Sequence, residues 1–245
     1  MKGAILIRGP QQRLRSLPVY TRGVATHGYT SHAGTPGKPI ADLRDKLAFP
    51  SYENCPGEHS IDDRYLRVQG AVATRKRHWC YFGEVVDYMV FGRVHLHVRD
   101  ASGRVVLASF YDDEDRGSRY LKGGRLQKGD TMAHLYPFRH QFFDGQVGFR
   151  MESTNQVKII PCTLNDLRLA NDKLQTSLPI TCWAPGCSNK EDLQLCNKCK
   201  TARYCVPEHQ TKAWQRKHEQ ECQALRELSW FLSRDWTTFK SRFSF

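Results

Sequence analysis

Cysteine and histidine crowd into one short window near the C-terminal end of this chain, and this feature constrains its fold more than any other. Of the nine cysteines in 245 residues, six lie between Cys182 and Cys222. With two histidines, the candidate ligands are Cys182, Cys187, Cys196, Cys199, Cys205, His209, His218 and Cys222. Pairs separated by two to four residues can reach one tetrahedral zinc ion from a short loop or a single helical turn. Eight such residues therefore predict two zinc ions.

A disulfide framework is the alternative interpretation of a cysteine cluster. The N-terminal residues lack the apolar run of a secretory signal, so an oxidising compartment is not expected. Two well-spaced positions, His209 and His218, are histidine, which cannot form a disulfide. Zinc is therefore the predicted cofactor. The other cysteines, at positions 55, 80 and 162, are scattered and are interpreted as ordinary thiols.

Helix geometry suggests how the ligands divide between the two ions. A helix is predicted from Pro207 to beyond Cys222, because proline suits an early helical position and no helix breaker follows. His209 and His218 are nine residues apart, and at about 100° per residue they fall on opposite sides of a straight helix. We therefore expect Cys205 with His209 in one site, and His218 with Cys222 in the other.

The same window resembles a MYND-type zinc finger over residues 182–222. The motif that carries the resemblance reads Tyr204-Cys205, His209-Gln210, Trp214, His218 and Cys222. The resemblance implies two interleaved zinc sites, one formed by Cys182, Cys187, Cys205 and His209, the other by Cys196, Cys199, His218 and Cys222. Two departures stand out: His209 replaces the usual cysteine, and the gap between the first two cysteines is four residues.

The family resemblance also implies a function. Members use the finger to bind partner proteins, often through short proline-containing peptides, and Gln210 and Trp214 would line the peptide groove. Packing within the small finger core is the alternative role of Trp214. Zinc held by four protein ligands has no open position for water, so the expected zinc ions are structural. No hydrolase, phosphate-loop or metalloprotease motif is present, nor the Asn-His dipeptide of SET methyltransferases, and no enzymatic activity is expected.

The middle of the chain predicts a mostly β domain. Val94, Leu96 and Val98 alternate with histidines, and similar short strands follow at 105–111, up to Leu135, at 147–151 and at 157–160. Strands of similar length joined by tight turns predict an α+β protein with a small, mostly antiparallel β barrel or sandwich, resembling an OB-fold. The pair His95 and His97 is interpreted as solvent-facing, and His134 and His140 receive no role.

Single-stranded nucleic acid is an alternative partner, because OB-like barrels stack bases on aromatic rings beside basic residues. The candidate residues are Arg75, Lys76, Arg77, His78, Trp79, Tyr81, Phe82, Tyr136, Phe138, Arg139, Phe142 and Phe143. Aromatic residues in a barrel also form its core, and the basic run also suits an exposed strand edge. Both interpretations stay open at this point.

The predicted organisation has five parts. They are a basic, disordered tail (1–41), a linker (42–66), the β domain (67–176), the zinc finger (180–222) and an amphipathic C-terminal helix (223–245). The tail carries six basic residues and no acidic one, so it supplies half of the formal net charge of +12. A mitochondrial presequence is its alternative interpretation, although Pro10 and Pro18 interrupt the required helix. Otherwise a cytoplasmic or nuclear protein with no membrane partner is expected.

Overall fold

Alternating apolar and polar residues produce the strands of the middle region. The structure is a computed structural model that describes residues 40–70, 72–175 and 180–245. Its strands are β1 (Leu66–Gln69), β2 (Val72–Arg75), β3 (Cys80–Val90), β4 (Val94–Arg99), β5 (Val105–Phe110), β6 (Thr131–Leu135), β7 (Arg139–Gln141), β8 (Val147–Met151), β9 (Val157–Ile160), β10 (Gln194–Leu195) and β11 (Arg203–Tyr204). Its helices are α1 (Leu164–Gln175), α2 (Pro207–Ala213), a π turn (Trp214–His218) and α3 (Glu219–Leu232). Short 3-10 turns lie at Tyr52–Asn54, Ser118–Tyr120, Lys122–Gly124 and Thr154–Gln156.

Seven strands form one sheet in the order β7-β8-β5-β4-β3-β6-β9. Every pairing is antiparallel except that of β5 with β8. Strands β8 and β9 lie five strand spacings apart in this order, about 24 Å in a flat sheet. The chain from Met151 to Val157 spans at most about 21 Å, and part of it is a 3-10 turn. The sheet must therefore curl. Among the strands of the described ranges, no pairing closes it into a barrel.

The inner face of the curled sheet forms one of two apolar cores. Its largest fully buried side chains include Tyr81, Leu96, Phe110, Met132 and Phe149. A second core lies where the sheet meets α1, the zinc finger and the C-terminal residues. There the ring of Phe231 from α3 lies 5.1 Å from that of Phe82 on β3. The finger and the β domain therefore share buried surface.

The α+β class and the mostly antiparallel sheet confirm the predicted fold class. Two segments of the chain, in contrast, do not have the structure predicted for them. Residues 42–66 are not a linker, because Leu43, Phe49, Tyr52 and Tyr65 are buried. Their apolar residues follow no regular period, so the sequence pattern did not reveal that they pack. The predicted basic tail lies outside the described residues, apart from residues 40 and 41.

The predicted helix over 223–245 is also shorter than expected. Helix α3 ends at Leu232, and the following chain runs along the β domain. There the amide of His78 donates to the Trp236 carbonyl at 3.1 Å, and the amide of Phe239 donates to the Lys76 carbonyl at 3.1 Å. In the described part of the chain, no helix is long and apolar enough to cross a membrane.

Candidate metal centre

A short hairpin and two tight turns position the cysteines of the C-terminal region. Strands β10 and β11 pair antiparallel, and Cys196 and Cys205 follow them directly. The Cys196 amide donates to the Ala202 carbonyl at 2.7 Å, and the Lys200 amide donates to the Cys196 carbonyl at 2.9 Å. Lys200 has a positive φ of 55°, which tightens this turn. The turn brings Cys196 and Cys199 together.

The eight predicted ligands fall into two sets of four. The first set is Cys182, Cys187, Cys205 and His209, and the second is Cys196, Cys199, His218 and Cys222. Within each set, the sulfur and nitrogen atoms lie within 4.8 Å of one another. These are the sets that the resemblance implies, and each contains the helical pair expected from the spacing. Among the described residues, no other histidine, cysteine or carboxylate group has this geometry.

The sulfur–sulfur distances within the sets fit a tetrahedral zinc ion, and the sulfur–nitrogen distances, from 3.1 to 3.9 Å, lie on both sides of the ideal value. Bonds of about 2.3 Å to sulfur and 2.0 Å to nitrogen place two sulfurs about 3.8 Å apart, and a sulfur about 3.5 Å from a nitrogen. In the first set, Cys187 Sγ lies 3.8 Å from Cys205 Sγ, and Cys182 Sγ lies 3.6 Å from His209 Nδ1. The second set has 3.9 Å between Cys196 Sγ and Cys222 Sγ.

Which histidine nitrogen faces each set also follows from the distances. In the second set Cys199 Sγ lies 3.9 Å from His218 Nε2, so this histidine would bind through Nε2. In the first set His209 lies 3.1 Å from Cys205 Sγ through Nδ1. Each set thus offers three sulfurs and one imidazole nitrogen, the donors that a closed structural zinc site uses.

The helix that carries the histidines is not a straight α-helix. A π turn at Trp214–His218 separates α2 from α3, which corrects the uninterrupted helix predicted from Pro207. The π turn changes the angle between His209 and His218, but the two histidines still belong to different sets. A π turn inserts one residue into the helical ladder, and sequence periodicity alone does not predict it.

Local electrostatics favour the zinc-binding form at some ligands and oppose it at others. Burial raises the pKa of Cys199, Cys205 and Cys222, which favours their thiols, whereas the pKa of Cys182, Cys196 and His218 is lowered. Burial lowers the pKa of His218, which keeps its imidazole neutral. Burial alone would raise the pKa of Cys182, but the backbone amides of Ala184 and Cys205 and the side chain of His209 lower it to about 7. Zinc binds thiolates and neutral imidazoles, so both shifts reduce the proton cost of metal binding.

Comparison with known proteins agrees with this geometry. The family model described as MYND finger matches residues 182–222.

Residues 182–222 are a MYND finger.

Among solved structures, the chain is similar to one in the crystal structure of the S. pombe Stn1-ten1 complex, with 16% sequence identity. That match covers 48% of this chain and 79% of the other, with a TM-score of 0.29. No curated protein sequence matches the chain significantly.

Gln210 and Trp214 lie beside the second zinc set of the MYND finger. The Gln210 side-chain amide donates to Cys196 Sγ at 3.7 Å. The ring of Trp214 is half-buried, and its centroid lies 5.8 Å from that of His218 in an edge contact. The Lys198 ammonium lies 4.3 Å from the centre of the indole. Trp214 thus packs within the finger and still presents part of its ring to solvent.

Most of the aromatic residues predicted to stack bases are buried. Trp79, Tyr81, Phe82 and Tyr136 are at most 7% exposed, because they fill the two cores, and His78 is buried with them. Those four rings are therefore not a stacking surface. Of the remaining candidates, Arg75, Arg77, Phe138, Arg139 and Phe142 are half-buried, whereas Lys76 and Phe143 are exposed.

The histidines of the β domain are distributed as follows. His95 and His97 lie on the same side of β4 and are half-buried, and His95 Nδ1 lies 2.8 Å from Ser109 Oγ. His134 is buried, and burial lowers its pKa to about 3. His140 Nδ1 lies 2.5 Å from Glu58 Oε2.

Helix α1, which packs against the finger, was not among the predicted elements. A usable signal was present: Thr163 caps the helix by accepting from the Asp166 amide at 3.1 Å. The buried residues Leu164, Leu167 and Leu174 follow at helical spacing. Lys173 of α1 places its ammonium 4.2 Å from the ring centre of Trp183 in the finger.

Proposed function

We propose that the MYND finger is a protein-interaction module that binds short proline-containing segments of partner proteins beside Gln210 and Trp214. The observation that carries the proposal is the position of these two residues, side by side on one helical segment and outside both zinc sets. Val206, 42% exposed, directly precedes α2 and adds apolar surface at the start of that helix.

The chemistry of this surface suits proline. Proline-rich segments adopt the extended polyproline conformation before they bind, and they dock into grooves lined with aromatic rings. Trp214 supplies such a ring. Within the described residues, no group donates to the amide oxygen of Gln210, so that oxygen can accept from a backbone amide of the peptide. Zinc in this account holds the surface in shape and takes no part in chemistry.

The test is binding of the zinc-loaded chain to an array of hexapeptides that each contain two prolines. We expect Trp214→Ala and Gln210→Ala to weaken binding about tenfold or more, as at other aromatic anchors. Because Trp214 contacts a zinc ligand, each variant is first shown to retain two zinc ions.

Trp230→Ala is the matched control for Trp214. Trp230 is also half-buried, and the Arg234 guanidinium lies 3.6 Å from its ring centre, but it lies on α3 outside the finger. Unchanged binding by Trp214→Ala, or equal loss with Trp230→Ala, would contradict the proposal.

A second candidate function is single-strand nucleic-acid binding at a surface around Tyr111. Tyr111 follows β5 and is half-buried, and its ring centre lies 3.6 Å from the Arg93 guanidinium and 4.3 Å from that of Arg150. The ring of Phe142 is nearly parallel to it, at 23° and 6.4 Å between centroids. Phe143 beside it is fully exposed.

This arrangement favours base stacking, because an aromatic ring flanked by guanidinium groups offers both a stacking face and positive charge. Arg150 also pairs with Glu152 at 2.5 Å, so Arg93 carries most of the available charge. The surface differs from the one predicted around Trp79 and Tyr81, whose rings are buried.

Fluorescence anisotropy of the full chain with labelled oligo(dT) and oligo(U) across a salt series tests this second function. Tyr111→Ala is expected to weaken binding about tenfold at high salt, where stacking persists and charge is screened. Tyr88→Ala is the matched control. Residues directly opposite on neighbouring strands share a face of the sheet, so Tyr88, which pairs with the inward-facing Leu96, lies on the inner face, whereas Tyr111 lies on the outer face. Equal binding by both variants would contradict this function.

A further inference from the structure

Strands β1 and β2 form a two-stranded ribbon that pairs with no other strand of the described residues. Six of its eight residues are exposed, and only Leu66 and Arg75, at the base of the ribbon, are half-buried. Val68 and Val72 are 47% and 61% exposed. An isolated two-stranded hairpin is at best marginally stable in water, so an exposed ribbon of this kind gains stability from a partner that packs around it.

The two faces of the ribbon differ in their surroundings. Residues directly opposite each other in an antiparallel pair share a face, so Leu66 and Arg75 lie on one face, and Arg67 and Thr74 lie on the other. Leu66 packs against the core that the sheet shares with the finger, and the Arg75 guanidinium lies 5.2 Å from the ring centre of Tyr136. Their face is therefore turned towards the β domain. The residues on the outer face are Arg67, Gln69, Val72 and Thr74.

Two basic segments that are distant in sequence meet at the base of the ribbon. The amide of Phe239 donates to the Lys76 carbonyl at 3.1 Å, so the last residues of the chain pass beside residues 75–77. Burial, and after it the positive charge of Arg242, lowers the pKa of Arg75, so these two guanidinium groups lie close together. The members of this basic cluster are Arg75, Lys76, Arg77, Lys240 and Arg242.

The charge of the basic cluster is not neutralised by carboxylates. Among the described residues, neither the cluster nor Arg67 forms an ion pair. Hydrogen bonds from Thr237, and to a lesser extent the charge of Lys240, lower the pKa of Asp235, so one negative charge lies near five positive ones. The cluster therefore keeps a net positive charge, and its members Lys76, Lys240 and Arg242 are exposed to solvent.

We propose that the ribbon and the basic cluster bind duplex DNA, with the ribbon in the major groove and the cluster on the phosphates beside it. The major groove is about 12 Å wide and about 8.5 Å deep, and it admits a two-stranded ribbon. Strand β1 rises about 10 Å from its first residue to its last, which matches the depth of the groove. On the outer face, Arg67 and Gln69 are side chains of the types that bind guanine and adenine edges.

The chemistry of the ribbon favours duplex DNA over other nucleic acids. Single strands bind by stacking on exposed aromatic rings, and neither β1 nor β2 contains an aromatic residue. The major groove of duplex RNA is deep and too narrow for side chains to read. The ribbon is thus a different site from the surface around Tyr111, where aromatic rings suit single strands.

The experiment measures binding of the zinc-loaded full chain to a labelled duplex DNA of mixed sequence by fluorescence anisotropy across a salt series. Duplex RNA of the same sequence and vesicles of equal parts phosphatidylcholine and phosphatidylserine are the comparison probes. We expect the DNA to bind about tenfold more tightly than the RNA, and more tightly than the vesicles at equal phosphate concentration. Binding of the RNA or of the vesicles that is as tight as that of the DNA would overturn the proposal.

One double substitution tests the basic cluster. Lys76→Gln combined with Lys240→Gln removes one exposed charge from each basic segment. If each ammonium neutralises one phosphate, the slope of log affinity against log salt becomes shallower by about 1.8, at about 0.9 per phosphate. At low salt, binding is expected to weaken about tenfold or more.

The matched control combines Lys122→Gln with Lys212→Gln, two exposed lysines that lie in the turn after β5 and on α2. It removes the same charge, and residues 1–41 are present in both variants, so only the position of the charge differs. The control is expected to keep the wild-type slope. Equal slopes in the two double variants would overturn the proposal.

Methylation by dimethyl sulfate tests whether the ribbon enters the major groove. The reagent methylates guanine N7, which lies in that groove. At saturating protein, the wild type is expected to protect guanines, and Arg67→Ala to protect them less, because Arg67 lies on the outer face of the ribbon. No protection by the wild type, or equal protection by Arg67→Ala, would overturn the proposal.

Discussion

Each zinc set contains one histidine, and the two sets alternate along the chain. Cys182 and Cys187 of the first set come before Cys196 and Cys199 of the second set. Cys205 and His209 then complete the first set, and His218 and Cys222 complete the second. Loss of either set therefore releases a loop that the other set needs. In small zinc domains, metal binding supplies much of the folding free energy.

His218→Ala is accordingly expected to unfold residues 180–222 and to lower the zinc content below two. Native mass spectrometry measures the zinc, and amide NMR measures the folding. His218→Cys restores a competent ligand and is expected to bind two zinc ions again. The control His95→Ala changes a histidine outside the finger and is expected to keep both zinc ions. A folded finger with two zinc ions in His218→Ala would contradict the assignment.

His134 connects a single buried side chain to the pH dependence of stability. Burial lowers its pKa to about 3, whereas an unfolded histidine has a pKa near 6.5. Between these values the unfolded chain binds a proton that the folded chain does not. The free energy of unfolding should therefore fall as pH drops below about 6.5, by up to about 1.4 kcal/mol per pH unit.

Urea unfolding of wild type and His134→Phe at several pH values isolates this contribution. Phenylalanine keeps a ring beside Phe149, where the two centroids are now 5.7 Å apart, and removes the titrating group. Both chains are expected to lose zinc in acid to the same extent. The difference between their slopes of unfolding free energy against pH therefore reports His134 alone. Equal slopes between pH 6.5 and 5 would contradict the burial argument.

At the scale of elements, the segment after α3 adds to the contacts between α3 and the sheet. Trp236 is buried, its indole donates to the Phe231 carbonyl at 2.9 Å, and its ring lies 4.7 Å from that of Phe49. Phe243 stacks on His78 at 3.8 Å and 8°. These contacts hold together the end of α3, residues 42–66 and the start of β3.

Trp236→Ala should destabilise the chain by about 3–5 kcal/mol, the usual range for a buried tryptophan. Urea unfolding followed by circular dichroism measures the loss. Phe143→Ala, at a fully exposed ring, is the control and should change stability by less than about 0.5 kcal/mol. A loss below 1 kcal/mol in Trp236→Ala would show that this segment does not secure the fold.

Elements with a regular local signal could be predicted from the sequence, and those defined by tertiary packing could not. The alternation of Val94, Leu96 and Val98 predicts β4. The ligand spacing predicts two zinc ions and places the two histidines in different sets, whereas the full sets follow from the family resemblance. Trp236 and Phe243 also recur at helical spacing, yet they pack in an irregular segment because the β domain offers them a buried surface.

At the scale of the whole molecule, the β domain and the finger share one buried core. Phe82, Leu135 and Ile160 of the sheet belong to the same apolar cluster as Leu228 and Phe231 of α3. Removing residues 180–245 would expose this surface on the β domain.

We therefore expect residues 1–179 alone to bind a hydrophobic dye and to unfold without a sharp transition. The full chain, in contrast, should unfold in one cooperative step with zinc bound. Calorimetry distinguishes the two forms. A truncated chain that unfolds as sharply as the full chain would contradict the shared core.

The central claim, that residues 182–222 fold around two zinc ions, is tested most directly by X-ray absorption at the zinc edge on the chain as purified. The account predicts two zinc ions per chain and an average shell of three sulfurs at about 2.3 Å and one nitrogen at about 2.0 Å. One zinc ion per chain, or a shell with fewer than three sulfurs, would contradict it.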